Sequence, residues 1–86
     1  MEKVKYAIIA FWLSHCFFRR LGKRYPDFFK QMVADYTDSS LCRKIMIQRY
    51  VGDKPIAFET IAINLGVSVR RVFQLHKKFI DDFINP

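Results

Sequence analysis

Residues 58–77, FETIAINLGVSVRRVFQLHK, constrain the fold of this chain more than any other stretch. Gly66 falls where a first helix must end in a left-handed residue, a conformation that glycine adopts without steric cost. Ser68 follows as a natural N-cap for a second helix, because its hydroxyl can accept a hydrogen bond from an early backbone N–H. The positions where the two helices must press together are small or apolar: Ile61, Ala62, Leu65, Val67, Val72 and Leu75. This spacing predicts a helix-turn-helix.

The second predicted helix, residues 68–80, has two chemically different sides. At about 100° per residue, basic and hydrogen-bonding side chains share an arc of about 120°: Arg70, Arg71, Gln74, Lys77 and Lys78. Apolar side chains share a separate arc of about 80°: Val72, Leu75, Phe79 and Phe83. No acidic residue lies between positions 60 and 80. The pattern predicts a helix that packs on one side and faces a negatively charged partner on the other.

The segment ETIAINLGVSVRRVFQLHKKFI, with RKIMIQRYVGDKP before it, resembles the helix-turn-helix of tri-helical transcription regulators. It is most similar to the fourth conserved region of bacterial sigma factors and to small phage regulators of the ArpU type. The resemblance covers about residues 40–83 and implies a protein that places its second helix in the major groove of double-stranded DNA. The chain departs from the pattern at Val69, where a polar residue often opens the recognition helix, and at the weakly capped start of the first helix near Ala57.

Specific DNA contacts follow from this interpretation. Arg70, Arg71 and Gln74 are expected to contact base edges, since arginine pairs naturally with guanine and glutamine with adenine. Contacts to backbone phosphates, which position a protein without reading sequence, are expected from Ser68, Lys77, Lys78, Arg43, Lys44 and Arg49. Ser68 has helix capping as its alternative role. For Phe73, packing against the core and contact with a thymine methyl group both stay open.

The charge balance of the chain fits such a partner. Its formal net charge is +7 over 86 residues, and the basic residues form clusters within residues 19–24, 43–49 and 70–78. A basic surface favours nucleic acid first and an anionic membrane second. For the first two clusters, a merely solvated basic surface is an equally open interpretation.

Residues 3–21 form the least polar part of the chain and predict a first helix that is apolar nearly all round. The uninterrupted apolar run, residues 6–13, is too short to span a bilayer as a helix. His15 is too large for the position before the cysteine of a lipoprotein cleavage box, so no signal peptide is predicted either. We therefore expect a cytoplasmic protein that does not interact with membranes.

A helix that is apolar on all sides must be covered on more than one side. We expect the remaining helices to cover one face and a second copy of the chain to cover the other, which gives a homodimer. The predicted interface residues are Ile8, Phe11, Trp12, Phe17 and Phe18. The alternative is a monomer whose N-terminal helix forms the centre of the core.

The rest of the chain predicts an all-α fold of about five helices in a single domain, residues 1–86. The first helix is expected to end at Gly22, and the next two to cover residues 26–36 and 41–51. Residues 1–37 would be the packing and dimerisation part, with two hydrophobic helices, and residues 40–86 the DNA-binding part.

The last residues of the chain refine this fold. Too few residues follow Phe79 for the two strands of a winged helix, so the tri-helical helix-turn-helix is expected to lack a wing. Asp81 and Asp82 lie four residues after Lys77 and Lys78, where they can form ion pairs with them.

Catalysis and metal binding are not predicted. Eight scattered acidic residues, two histidines and no glycine-rich phosphate loop offer no catalytic constellation. Cys16 and Cys42 have no metal-ligand spacing, and His15 diverges from Cys16 by about 100° on a helix, so no metal, other cofactor or small-molecule ligand is expected. The two thiols are expected to be free, reduced and buried, and the histidines to be satisfied or exposed.

Two other functions share parts of this pattern. One is a protein-interaction module that binds RNA polymerase or a regulator through an apolar surface around Phe11, Trp12 and Phe17. The other is a DNA-processing accessory protein of a phage or mobile element, which shares the DNA-binding prediction and differs in the process that binding serves.

Overall fold

A computed structural model describes the backbone of residues 2–85 and the side chains of residues 13–85. The described chain contains five α-helices and no strand, which confirms the predicted all-α class and helix number. They are α1 (Glu2–Arg24), α2 (Pro26–Tyr36), α3 (Ser40–Tyr50), α4 (Phe58–Leu65) and α5 (Val69–Ile84). None of these helices, over the part that is described, combines the length and apolar character needed to cross a membrane.

The first helix does not end at Gly22, the end expected from the sequence. It continues to Arg24, and the backbone N–H of Tyr25 still donates to the carbonyl of Leu21 at 2.7 Å. Tyr25 itself leaves the helical conformation, with φ −132° and ψ 64°, because a residue that precedes a proline is sterically excluded from it. Pro26 then opens α2, where its fixed φ and missing N–H are tolerated. The proline, rather than the glycine, therefore separates the first two helices.

The third helix begins at a capped residue. The Ser39 hydroxyl accepts a hydrogen bond from the backbone N–H of Cys42 at 3.2 Å, which satisfies one of the amides that a helix start leaves without an internal partner. The helix begins and ends one residue earlier than the 41–51 predicted from the sequence.

The helices meet around Phe18, which is completely buried. Its ring lies in edge-to-face contact with Phe29 of α2, Tyr50 of α3 and Phe79 of α5, with centroids 5.6 to 5.9 Å apart. Burial of a phenylalanine side chain contributes about 1.5–3 kcal/mol, so Phe18 fixes α1 to three other helices at once. The predicted place of Phe18 in a dimer interface is wrong, because no part of its side chain is open to a second copy.

The remaining core draws on all five helices. Its buried apolar side chains are Phe18, Phe29, Val33, Cys42, Ile45, Met46, Tyr50, Ile61, Ala62, Val72, Leu75, Phe79 and Ile80. Those of α4 and α5 include the small and apolar positions that the sequence assigned to the contact between these helices, with Leu65 and Val67 packed at its edge.

A three-residue turn joins α4 to α5. Gly66 adopts the left-handed conformation, with φ 67° and ψ 33°, and Val67 donates its N–H to the carbonyl of Ala62 at 3.1 Å. The Ser68 hydroxyl accepts a hydrogen bond from the backbone N–H of Arg71 at 3.1 Å. Both local predictions, a left-handed glycine and a serine N-cap, are confirmed. The helix after the turn ends four residues beyond the predicted end at residue 80.

Candidate nucleic-acid interface

Three polar side chains near the start of α5 point into solvent. Arg70, Arg71 and Gln74 are all exposed, and none of their side chains has a hydrogen-bond or ion-pair partner among the described residues. The guanidinium groups of Arg70 and Arg71 and the amide of Gln74 therefore remain available for an external ligand. The structure brings together, on one side of one helix, the three residues that the sequence proposed as base-contacting.

The opposite side of α5 is fixed in the core. Val72 and Ile80 are fully buried, and Leu75 and Phe79 nearly so. The Ser68 cap determines where the helix begins. Because burial of each large apolar side chain contributes about 1.5–3 kcal/mol, the exposed side is held in a fixed orientation relative to the rest of the domain.

Phe73 lies beside the exposed polar residues and remains 46% exposed. Its ring centroid is 4.6 Å from that of Phe58, at the start of α4. The two roles that the sequence left open for Phe73 are therefore compatible, since one side of the ring packs on α4 while the other is accessible.

The two lysines further along α5 are exposed and are paired on the helix itself. Lys77 donates to the Asp81 carboxylate, and Lys78 donates to that of Asp82 at 2.9 Å. Both pairs have the spacing predicted from the sequence, and the Asp82 carboxylate raises the pKa of Lys78. Exposed pairs of this kind contribute little to stability. Their more important effect is to offset the positive charge of α5 in its second half.

The basic residues of α3 are not equivalent. Arg43 donates to the backbone carbonyls of Thr37 at 2.7 Å and Ala34 at 3.0 Å, and these hydrogen bonds cap the C-terminal end of α2. Lys44 is exposed and has no partner among the described residues. Of the two, only Lys44 keeps its whole charged group available for a phosphate.

Arg49 is similarly occupied within the chain. Its guanidinium donates to the carbonyl of Ile56 at 2.8 Å and lies 4.4 Å above the centre of the Phe58 ring. These contacts hold the loop before α4 against α3. These carbonyls occupy part of the guanidinium groups of Arg43 and Arg49 that the sequence assigned to phosphates. Helical spacing alone did not reveal this use.

A buried chain of hydrogen bonds connects three helices behind the exposed side of α5. The Tyr50 hydroxyl lies 2.8 Å from Nδ1 of His15 and 2.6 Å from Nε2 of His76. A phenol has one proton, so it donates to one imidazole and accepts from the other. The sequence indicated only that both histidines would be satisfied or exposed; the signal for His76 was its position on α5 next to the apolar arc.

Burial sets the protonation states of this network. Burial lowers the pKa of His76 to about 4, and the electrostatic effects of neighbouring His15 and Arg49 act in the same direction. Burial and Arg49 also lower the pKa of His15, and burial raises the pKa of Tyr50. At neutral pH all three groups are therefore uncharged, and they act as a structural link rather than as charged ligands.

The C-terminal half of α1 carries a second basic surface. Six residues of this helix line an open groove of about 380 Å³: His15, Cys16, Arg19, Arg20, Lys23 and Arg24. Arg19 donates to the backbone carbonyls of Tyr50, Gly52 and Asp53 and so ties α1 to the end of α3 and the following loop. The cluster at residues 19–24 thus contains one internal anchor beside outward-facing cations.

The cysteines differ from expectation in one respect. Cys42 is buried, as predicted, but Cys16 is exposed in the groove of α1, and both are free thiols. Among the described residues, no group of three or more histidines, cysteines or acidic residues comes together in a geometry that could hold a metal ion.

The face of α1 assigned to dimerisation is described only in part. Ile8, Phe11 and Trp12 lie outside the residues whose side chains are described. Phe17 is 48% exposed and stacks on Phe83 of α5, and Leu13, one turn before it, is 65% exposed.

Comparison of the chain with protein families, with curated proteins and with solved structures finds no match.

Proposed function

We propose that this protein is a small, sequence-specific double-stranded DNA-binding protein that regulates transcription. The observation that carries the proposal is the exposed group of Arg70, Arg71 and Gln74 at the start of a helix whose other side is fixed in the core. The turn at Gly66 and the cap at Ser68 support a tri-helical helix-turn-helix formed by α3, α4 and α5. In such a unit the helix that follows the turn, here α5, enters the major groove.

The chemistry of these side chains fits direct readout of bases. Arginine forms paired hydrogen bonds with the O6 and N7 atoms of guanine, and glutamine with the N6 and N7 atoms of adenine. The accessible side of the Phe73 ring can contact a thymine methyl group. Each well-formed bidentate pair discriminates against a wrong base by about 1–3 kcal/mol, so two or three such contacts are enough for a preference.

Phosphate contacts in this proposal come mainly from Lys44, Lys77 and Lys78. Such contacts position the protein and carry no sequence information directly. Lys77 and Lys78 must share their charge with Asp81 and Asp82. Ser68 acts as the helix cap, since its hydroxyl already accepts the backbone N–H of Arg71.

The proposal includes a homodimer that joins two reading helices. Leu13 and Phe17 are large, apolar and exposed on α1, and the apolar sequence continues before them to residue 6. A second copy would cover this surface and present two helices to half-sites about 34–36 Å apart, or a multiple of that distance.

Selection from random duplexes at near-physiological salt tests the proposal. The native protein should enrich one motif, which is palindromic if the dimer is correct. Arg70→Ala should relax the preference at one position of each half-site, whereas Lys30→Ala, which removes the same charge from α2, should leave the motif unchanged. A motif without internal symmetry would contradict the dimer alone. Binding with no preference that disappears with modest salt would contradict the reading role of α5.

A protein-interaction module is the second candidate. It is favoured by large apolar side chains that are exposed on α1, on α2 and between them, among them Leu13, Phe17, Tyr25 and Phe28. On this alternative, Arg70→Ala and Gln74→Ala leave the cellular function intact, whereas Phe17→Ser abolishes it. The two functions are therefore separated by variants in different helices, α1 and α5.

A further inference from the structure

The groove on α1 has an unusual balance of charge. Of the six described residues that line it, four are cations and none is a carboxylate. Arg20, Lys23 and Arg24 are exposed, and none of their charged groups has a hydrogen-bond or ion-pair partner among the described residues. This differs from the second half of α5, where each lysine is offset by an aspartate. A surface with charges of one sign raises the local concentration of counter-ions and of oppositely charged ligands.

Arg19 makes the base of this groove rigid. Three backbone carbonyls at the end of α3 and in the following loop accept its hydrogen bonds, and all of them are neutral acceptors. The guanidinium therefore keeps its full charge while its position is fixed. Gly22 allows α1 to lie directly against Tyr50, so the basic side of α1 is held in place by two separate contacts with α3.

The shape of the groove favours an extended anion over a compact one. Every residue that lines it among the described residues belongs to α1, so no second element closes over a small ligand. From residue 15 to residue 24 the helix rises by roughly 13 Å. Phosphates of one strand of DNA rise by about 3.4 Å each along the duplex axis and lie further apart along the strand itself, so a strand that lies along the groove presents more than one phosphate to Arg20, Lys23 and Arg24.

The groove is also physically connected to the helix proposed to read bases. His15 at its edge lies against the Tyr50 hydroxyl, which also contacts His76 of α5. The Phe58 ring contacts both His76 and Phe73, with centroid distances of 4.9 and 4.6 Å. The two basic surfaces are thus held by one continuous set of packed side chains.

From these observations we infer that the α1 groove is a second DNA-contacting surface, which binds the phosphate backbone of the same duplex that α5 reads. The inference rests on the proposed function and extends it. Arg20, Lys23 and Arg24 contribute affinity and salt dependence, while the base preference stays with α5.

The salt dependence of binding to the selected duplex gives the first test. Affinity falls as salt rises, and each lost phosphate contact makes the slope of log affinity against log salt shallower by about 0.9. The slope should therefore become shallower by about 1.8 for Arg20→Gln with Arg24→Gln, and by about 0.9 for Lys23→Gln. Lys30→Gln on α2 is the matched control for Lys23→Gln, because both remove one exposed lysine charge. Equal slopes for the matched pair would overturn the inference.

Cys16 provides a second test that leaves every basic residue in place. It is the exposed thiol in the groove, while Cys42 is buried, so a neutral reagent such as N-ethylmaleimide should modify Cys16 first. Addition of the duplex should slow this modification several-fold if DNA covers the groove. An unchanged rate at saturating duplex would overturn the inference.

Measurement of Arg70→Ala alongside these variants separates this inference from the proposed function. If Arg70→Ala relaxes the base preference at its position while the groove variants match their control, α5 reads DNA and the groove inference is wrong. If the groove variants lower the salt slope but the native protein shows no base preference, the groove binds DNA and the reading role of α5 is wrong. If the native protein binds no duplex at all, both are wrong. Circular dichroism should show that each variant keeps the native helix content.

Discussion

Gly22 of α1 lies directly against the backbone of Tyr50 in α3. A methyl group on Gly22 would be only 2.0 Å from the carbonyl oxygen of Tyr50, so the two backbones can approach this closely because position 22 has no side chain. Arg19, one turn earlier on the same helix, donates to that same carbonyl at 3.0 Å. The close approach of the two backbones explains why a glycine is found inside this helix, although glycine there costs about 1 kcal/mol relative to alanine.

Gly22→Ala should destabilise the protein despite the better helix propensity of alanine. The added methyl group forces α1 away from α3, and overpacking of this kind costs about 1–3 kcal/mol or more. The free energy of unfolding, measured by urea titration, should fall. Lys23→Ala at the neighbouring exposed position should change it by less than about 0.5 kcal/mol. A Gly22→Ala protein as stable as the native one would contradict the close contact of α1 and α3.

Removal of the Tyr50 hydroxyl should also reduce stability. Tyr50→Phe keeps the ring in the core but takes away the group that both His15 and His76 contact. An intramolecular hydrogen bond contributes about 0.5–1.5 kcal/mol net. The loss of both should therefore lower the free energy of unfolding, measured by urea titration, by about 1–3 kcal/mol. Tyr25→Phe removes an equivalent hydroxyl from an exposed ring and serves as the control. Equal stability of the two variants would show that the hydrogen bonds to Tyr50 contribute nothing.

The same network predicts that stability falls in acid. The pKa of His76 is about 4 in the folded protein and 6.5 without its surroundings, so between these values the unfolded chain binds more protons. The contribution of His76 is therefore complete above about pH 6.5 and is lost as pH falls towards 4, by about 3 kcal/mol. His15, whose pKa is also lowered, acts in the same direction.

Urea titrations of the native protein and of His76→Gln, from about pH 7.5 to about pH 4, test this linkage. The variant should be less stable at neutral pH, because it disturbs a buried contact, but its stability should fall less steeply with acid. The eight acidic residues are common to both proteins, so their titration cancels in the comparison. Parallel pH profiles would show that His76 does not take up a proton on unfolding in this range.

Features set by neighbouring residues could be predicted from the sequence. The left-handed Gly66, the Ser68 cap and the start of α2 at Pro26 all depend on local backbone geometry. The exposed side of α5 follows from helical period alone. These are the features on which the proposed site depends.

Features set by residues distant in sequence could not be predicted in this way. Gly22 looked like a helix end because its reason for being glycine, the Tyr50 carbonyl, lies 28 positions away. Arg19, Arg43 and Arg49 looked like surface charges because the carbonyls that accept from them belong to other elements. Phe18 looked like an interface residue because an all-apolar helix does not reveal which side the chain itself will cover.

The ion pairs at the end of α5 lead to a prediction of stronger DNA binding. Asp81→Asn with Asp82→Asn removes the carboxylates that pair with Lys77 and Lys78, and both lysines then offer their full charge to the phosphates. The loss of stability should be small, because both pairs are exposed to solvent. Because both lysines already share their charge with phosphates in the native protein, the slope of log affinity against log salt should steepen by less than the value of about 1.8 that two new contacts would give. Asp27→Asn with Asp35→Asn on α2 makes the same change in net charge and should alter the slope much less. Equal effects of the two double variants would mean that only net charge matters, and would remove Lys77 and Lys78 from the proposed phosphate contacts.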